Sequence, residues 1–254
     1  MNAVVLAGGG RDAVSAGTSA VNKAFVPIAG VPMVERVLTV LRSTPSIARI
    51  TVVAPESAHE DRALALAHER RIAGKRIVDS LRRGVEGYAD DEMLLLVTSD
   101  APLLQRQALE AFVAALATSP ADVVYGIAEK RAHKREFPDV PHTWARMREG
   151  VYCGAAVLGI RPRALPALER FLDHLASARK SPIRLASVFG WDMVLRFALG
   201  TLSVRAAEER ASALLGRQVA ALVVAPALAF NVDRRGDVAL AERYARAVTS
   251  TASA

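Results

Sequence analysis

Val4-Val5-Leu6-Ala7-Gly8-Gly9-Gly10-Arg11 is an apolar run that opens straight into three glycines. A short apolar run bounded by turn residues reads as a buried strand. Without a Cβ, glycine lets the backbone turn sharply and approach a ligand closely. Backbone N–H groups displayed by such a loop suit an anion, above all a phosphate. Lys23, a little downstream, can add a full positive charge to the same anion. The stretch therefore reads as a strand and loop that hold a nucleoside triphosphate.

Other readings of the same residues are weaker. A strand ending in glycines is often only a tight turn. Gly8, Gly10 and Ala13 fit the loose dinucleotide fingerprint, which requires an acidic residue about 20 positions on, after the second strand. That strand reads as Ile50–Val53 and runs into Ala54-Pro55-Glu56, too far along. An NAD(P)-linked oxidoreductase is disfavoured on that ground. The pattern Gly-x-x-x-x-Gly-Lys-Ser/Thr is absent, so this is not a Walker loop either.

Composition narrows the class. At 254 residues the chain has room for one large α/β domain, and 52% apolar residues exclude a disordered chain. No apolar run is long enough to span a bilayer, and the N-terminus lacks the pattern of a signal peptide. A single cysteine, Cys153, excludes an intramolecular disulfide and a thiolate-rich metal site, and points to a reducing, cytoplasmic setting. The net charge of +7 suits polyphosphate substrates. Aromatic residues make up only 5% of the chain, which argues against a stacking platform for single-stranded nucleic acid.

Strand and helix patterns alternate along the chain. Met33, Val37, Val40 and Leu41 share a helix face, and Ile50–Val53 follows as a strand. Ala63 to Ile72 reads as a surface helix and Ile77-Val78 as a third strand, before a helix start at Asp79 or Ser80. Met93–Val97 reads as the central strand, Gln105 to Ala117 as a helix and Val123–Ile127 as a strand. Residues 130–150 read as a long basic loop, with Lys130, Arg131, His133, Lys134, Arg135 and His142 as either an acceptor-phosphate clamp or a solvated charge run. Val151–Ile160 resumes as a strand. The region 161–216 is helical, with a largely buried helix from Ile183 to Leu199, and Trp144 and Trp191 read as packing residues. Val219–Val224 is a late strand, and a last helix runs from about Gly236 to Val248. Residues 1–248 thus read as one domain and 249–254 as a disordered tail. The alternation predicts an α/β fold with a mostly parallel sheet covered on both faces.

Two aspartates, Asp100 and Asp233, each close an apolar run. Hard oxygen ligands of this kind suit Mg2+, which usually takes one or two carboxylates plus substrate phosphates. Either residue could instead simply cap the helix that follows it.

The stretches Leu6–Gly10 with Lys23 to Pro32, Thr98–Leu104 and Asn231–Asp233 resemble the nucleotidyltransferases of the molybdenum-cofactor guanylyltransferase (MobA-like) type. Sugar-phosphate nucleotidylyltransferases and methylerythritol-phosphate cytidylyltransferase are related to that family. The resemblance implies a three-layer α/β/α sandwich, a Rossmann-like nucleotide-diphospho-sugar transferase fold with a mostly parallel, mixed sheet. It implies that Leu6, Ala7, Gly8 and Gly9 meet the nucleoside and phosphates through their backbone, that Gly10 belongs to the same nucleotide-binding loop, that Lys23 neutralises the α-phosphate, and that the helix start from Ser80 to Gly84 lies against the base. It makes Asp100 and Asp233 the Mg2+ ligands and groups Lys23, Arg11 and Asp100 as catalytic. The partners it implies are a nucleoside triphosphate and a phosphorylated small-molecule acceptor, with pyrophosphate released. Membrane and nucleic acid are not expected, and the oligomeric state is open. Arg11 follows the glycines directly, and the segment from Arg11 to Asn22 is longer than the family's and rich in Ala, Ser and Gly, as in a mobile lid or a floppy insertion. The rival on the same fold is a catalytically inert nucleotide- or sugar-phosphate-binding protein.

Overall fold

The computed structural model describes residues 1–178 and 188–252. The first strand, β1 (Asn2–Leu6), lies near the middle of an eight-stranded mixed sheet, counted over the described residues. Parallel neighbours flank it: β4 (Arg49–Ala54) on one side and β6 (Leu94–Thr98) on the other. Beyond β4 lies β5 (Glu69–Ile72), also parallel. Beyond β6 comes β9 (Val151–Ile160), then β7 (Val123–Glu129) and β10 (Val219–Val223). β9 runs antiparallel to both β6 and β7, and the short β8 (Ala145–Arg146) pairs with it. A separate hairpin, β2 (Pro27–Ile28) with β3 (Val31–Pro32), follows the glycine loop.

Period-two alternation explains the three layers. Ala3 and Val5 of β1 face α1 (Met33–Ser43) and α3 (Arg106–Thr118), where Val37, Leu38, Leu109 and Phe112 are buried. Val4 faces the other layer, built from α2 (Ile77–Val85), α5 (Leu165–Ala178) and α7 (Val204–Leu215) through Leu81, Leu165 and Leu215. A third cluster joins the β2–β3 hairpin to α4 (Lys130–Glu136) and to the long last helix, α8 (Arg235–Ala252), around Ile28, Met33, Phe137, Phe230 and Ala241. The result is the expected Rossmann-like α/β/α arrangement.

Several local expectations are overturned. Ala63 to Ile72 is not a helix: a single 3-10 turn, Arg62–Leu64, precedes β5. β5 ends the sheet, so its charged side chains reach solvent and disguise its pattern. Glu69 accepts from Arg49 at 2.8 Å and from Arg71 at 2.7 Å. Ile77-Val78 is the first turn of α2 rather than a strand. Asp79 starts that helix from inside, its carboxylate accepting from the Arg76 backbone N–H at 3.1 Å. Residues 130–150 are not one loop, since they contain α4 and β8. The helix over Ile183–Leu199 is not buried where it is described. Residues 183–187 lie outside the described residues, and α6 (Trp191–Ala198) exposes Trp191 and Leu195, so Trp191 is not a packing residue. α8 runs through residues 249–252 of the expected tail; 253–254 lie outside the described residues.

Candidate active site

The carboxyl ends of β1 and β6 lie side by side, with Leu6 paired to Thr98. Parallel α/β sheets bind ligands at this edge. A cavity of about 260 Å³ opens here. Its walls come from Leu6 at the end of β1 with Gly8 and Gly9 beyond it, from Lys23, from Gly74 to Arg76 before α2 with Ile77 and Ser80 in its first turns, and from Thr98 at the end of β6 with Ser99 and Asp100 beyond it.

Close packing demands the glycines. A Cβ on Gly8 would sit 2.8 Å from the Ala73 Cβ and 3.2 Å from Ser80 Oγ. Gly9 turns the chain at φ +101°, a left-handed conformation costly for other residues. Asn22 then fixes the loop from below. Its Nδ2 donates to the carbonyls of Ala7 (2.9 Å) and Gly9 (3.0 Å), and its Oδ1 accepts from the Ala24 N–H at 2.9 Å. The last bond caps the 3-10 turn Lys23–Phe25 and so aims Lys23. Ser80 is buried and braces the far wall, its hydroxyl accepting from the Gly74 N–H at 3.0 Å.

Lys23 joins the two aspartates. Its Nζ donates to Asp100 Oδ2 at 2.6 Å and to Asp233 Oδ1 at 3.2 Å. Burial pulls the ammonium pKa down, but the two carboxylates outweigh it and hold the pKa above the ordinary lysine value. Neither aspartate is merely a helix cap. The residue before α3, Gln105, makes no side-chain cap, and Asp100 lies five positions before it. At the head of α8 it is Asp237 that accepts from the N–H groups of Asp233 (2.9 Å) and Arg234 (2.8 Å). That leaves the Asp233 carboxylate to face Lys23. The Val232 N–H donates to the Asp100 carbonyl at 2.9 Å, which stitches the two aspartate segments together.

Three buried oxygens in these segments lack a partner among the described residues: Asp100 Oδ1, Thr98 Oγ1 and Asn231 Oδ1. Such orphans are rare in folded proteins. An acidic oxygen with open coordination beside a second carboxylate is the donor set that suits Mg2+.

Other expected site residues lie elsewhere. The Ala7 side chain is buried in the α1–α3 core while its backbone stays in the glycine loop, and Gly10 is exposed outside the cavity wall. Arg11 turns back on its own segment, donating to the carbonyls of Ser15 (3.2 Å) and Thr18 (2.7 Å). Gly84 packs α2 onto the sheet, where a Cβ would fall 2.6 Å from Val4 Cγ1. The Arg11–Asn22 segment is a braced turn rather than a floppy insertion. Asp12 Oδ1 accepts from Val14 and Ser15, both at 3.0 Å, and Arg235 donates to the carbonyls of Ala13 and Ala16, both at 2.7 Å. Much of the basic stretch is tied up internally. Lys134 donates to the carbonyls of Pro138 and Val140, Lys130 lies over the Trp144 ring, and His133 is fully buried with its Nε2 3.0 Å from that of His142. Burial, then the nearby His142 and Lys134, pushes the His133 pKa down to about 4.

Sequence reasoning missed Gly74-Lys75-Arg76. Gly74 is required there because a Cβ would collide with the Asp79 side chain, a contact that only the fold reveals.

The model of the MobA-like NTP transferase domain matches residues 3–187. The chain belongs to this family. This MobA-like protein is thereby a nucleotidyltransferase, and the family segment carries the glycine loop, Lys23 and Asp100. Among solved structures it is similar to a hypothetical transferase from Thermus thermophilus, with 31% identity, a TM-score of 0.81, and coverage of 93% of this chain and 98% of that one. The 2-C-methyl-D-erythritol 4-phosphate cytidylyltransferase of the same organism shares 18% identity at a TM-score of 0.56, covering 96% of this chain and 98% of that one. CMP:2-keto-3-deoxy-manno-octonic acid synthetase complexed with CTP shares 13% at 0.61, covering 98% of each chain. These last two likenesses establish the fold. A search of curated proteins returns no match.

Proposed function

We propose that this nucleotidyltransferase moves a nucleoside monophosphate from a nucleoside triphosphate to a phosphorylated small molecule, releasing pyrophosphate, with Mg2+ held by Asp100 and Asp233. The observation that carries this reading is the Asp100 carboxylate, with Oδ2 on Lys23 and Oδ1 buried and unpartnered among the described residues. In the reaction an acceptor phosphate oxygen bonds to the α-phosphorus. The bond from that phosphorus to the bridging oxygen breaks, and pyrophosphate leaves with the electron pair. The nucleophile is already an anion, so no side chain has to remove a proton. Positioning and charge neutralisation do most of the work in such transfers. Gly8 and Gly9 let the triphosphate approach the backbone, and Lys23 is charged and aimed at the same space. The bound Mg2+ would neutralise charge on the phosphates. Ser80 and the Gly74–Arg76 loop supply the far wall, where the nucleoside would lie. We place the reaction in the cytoplasm, consistent with the buried free thiol of Cys153 and with the lack, among the described residues, of any helix long and apolar enough to cross a membrane.

The test is thermal-shift screening of the four ribonucleoside triphosphates with and without Mg2+, beside 31P NMR for pyrophosphate. A ligand at about 100 times its Kd adds about 2.7 kcal/mol of stability. A Mg2+-dependent shift for one triphosphate, lost in Asp100→Ala and Lys23→Ala, is expected. No shift with any triphosphate would refute the assignment.

A further inference from the structure

A second cavity, of about 280 Å³, lies among β7, β9, β10 and α7. It shares its face of the sheet with the nucleotide cavity, because α2, α5 and α7 form one layer. It also shares the same edge. Val97 of β6 pairs with Val157 of β9. Asp100 lies three residues beyond the first, and Gly154, in the cavity wall, three residues beyond the second in the opposite chain direction. Tyr152 to Gly154 at the start of β9 and Ile127 of β7 line the cavity, so it lies toward the edge of the sheet at which β6 ends, two residues before Asp100.

The walls of this cavity carry no positive charge among the described residues. Tyr125 covers Gly154 so closely that a Cβ there would run into its hydroxyl. The β7–β9 register shifts between Tyr125 and Ile127, a bulge of the kind that re-aims side chains beside active sites. Ala207 and Ala211 of α7 leave the opposite wall open. Among the described residues no lysine or arginine lines the cavity, and its one carboxylate, Glu208, accepts from the Ala221 N–H at 2.7 Å. The volume lies near the lower end of about 300–1,000 Å³ for ligand clefts, so the occupant is small. Tyr125, Thr143 and Tyr152 bring only three side-chain hydroxyls to the cavity, so a polyanionic or heavily hydroxylated body would lose more hydration here than it regains.

We propose that this cavity binds the non-reacting body of the acceptor, and that this body is a small, uncharged, largely apolar or aromatic group whose phosphate projects toward Asp100. The assignment rests on the transferase reading above and narrows its acceptor class. The acceptor is then an apolar phosphomonoester, supplied by phosphorylation of an alcohol.

The probes are phenyl phosphate and glucose 1-phosphate, equal in charge and different in body, titrated by calorimetry. Triphosphate binding is followed in parallel by thermal shift. Phenyl phosphate should bind at least about tenfold more tightly, the effect of burying an apolar ring. Ala211→Phe, which fills the cavity from the helix, should remove that advantage while leaving the triphosphate shift intact. Ala207→Leu, a smaller intrusion, repeats the test should the larger side chain prevent folding. Equal binding of the two probes, or an advantage that survives both variants, would overturn the assignment. A lost triphosphate shift with phenyl phosphate still bound in the cavity would instead refute the transferase reading and leave the cavity's chemistry standing.

Discussion

The two cavities on one face of the sheet differ in almost every physical respect. The nucleotide cavity is made of sharp turns and opposed charges: Gly8, Gly9, Lys23 and Asp100. The second is made of a bulge, two tyrosines and small helix residues, with its carboxylate, Glu208, spent on a backbone N–H. Phosphate groups need a fixed pattern of charge and glycine, so the first cavity depends on particular residue types. An apolar body needs only room and dryness, which many sequences provide.

Asp100→Asn breaks the charged side most severely. It keeps the shape and removes the charge that holds Lys23, and the transfer rate should fall by about 10³-fold, as for loss of a central electrostatic group. Steady-state pyrophosphate release measures this, and a loss below about tenfold would remove Asp100 from the chemistry. Lys23→Ala should cost about 10²-fold in kcat/KM, with the preference for phenyl phosphate over glucose 1-phosphate unchanged. A change in both would show that the cavities are not independent.

The basic stretch sharpens the comparison. As an acceptor clamp it would hold anions, whereas the structure gives His133 a place in the core. Its folded pKa, about 4, lies below the ordinary 6.5. The neutral form is favoured by the fold, so this stability is fully present above pH 6.5 and is lost as pH falls toward 4. The upper bound is about 3 kcal/mol at the rate of 1.36 kcal/mol per pH unit. Denaturant melts of wild type and His133→Gln from about pH 7 to about pH 4 should show the variant's stability falling less steeply. Identical slopes would place the acid sensitivity elsewhere.

Gly84→Ala separates packing from nucleotide contact. The new methyl would meet Val4 and Val53 and should cost about 1–3 kcal/mol by overpacking, with KM for the triphosphate unchanged. A raised KM at full stability would return Gly84 to the base site. Smallest is Arg235→Ala, which removes two carbonyl contacts from the Arg11–Asn22 turn. About 1 kcal/mol of local stability should be lost, visible as faster amide exchange over residues 12–18.

The sequence was most legible where chemistry restricts the choice of residue. Leu6, Gly8, Gly9, Lys23 and Asp100 line one cavity, with Asp233 bonded to Lys23 at its edge, and the layered fold follows from the alternation. It was least legible at the sheet's rim and in its apolar surfaces. β5 reads as a helix because an edge strand carries charges on its solvent side. α6 reads as buried because Trp191 and Leu195 look like core residues in any sequence. Asp237 was overlooked because a helix N-terminus offers several carboxylates, and only the geometry shows which one caps. Ser80 was identified by position, yet its hydroxyl holds a loop that no motif signals.

The lysine bridge also sets the order in which the site can be completed. Lys23 and Asp233 are separated by 210 positions along the chain, and the Val232 N–H bonds to the Asp100 carbonyl beside them. Closing so long a loop is entropically costly and comes late in folding. A chain made only as far as β9 would contain the glycine loop, Lys23 and Asp100 but neither β10 nor Asp233. Competence for transfer would then arise in a single late docking event, and partly made chains would be kept from consuming triphosphate.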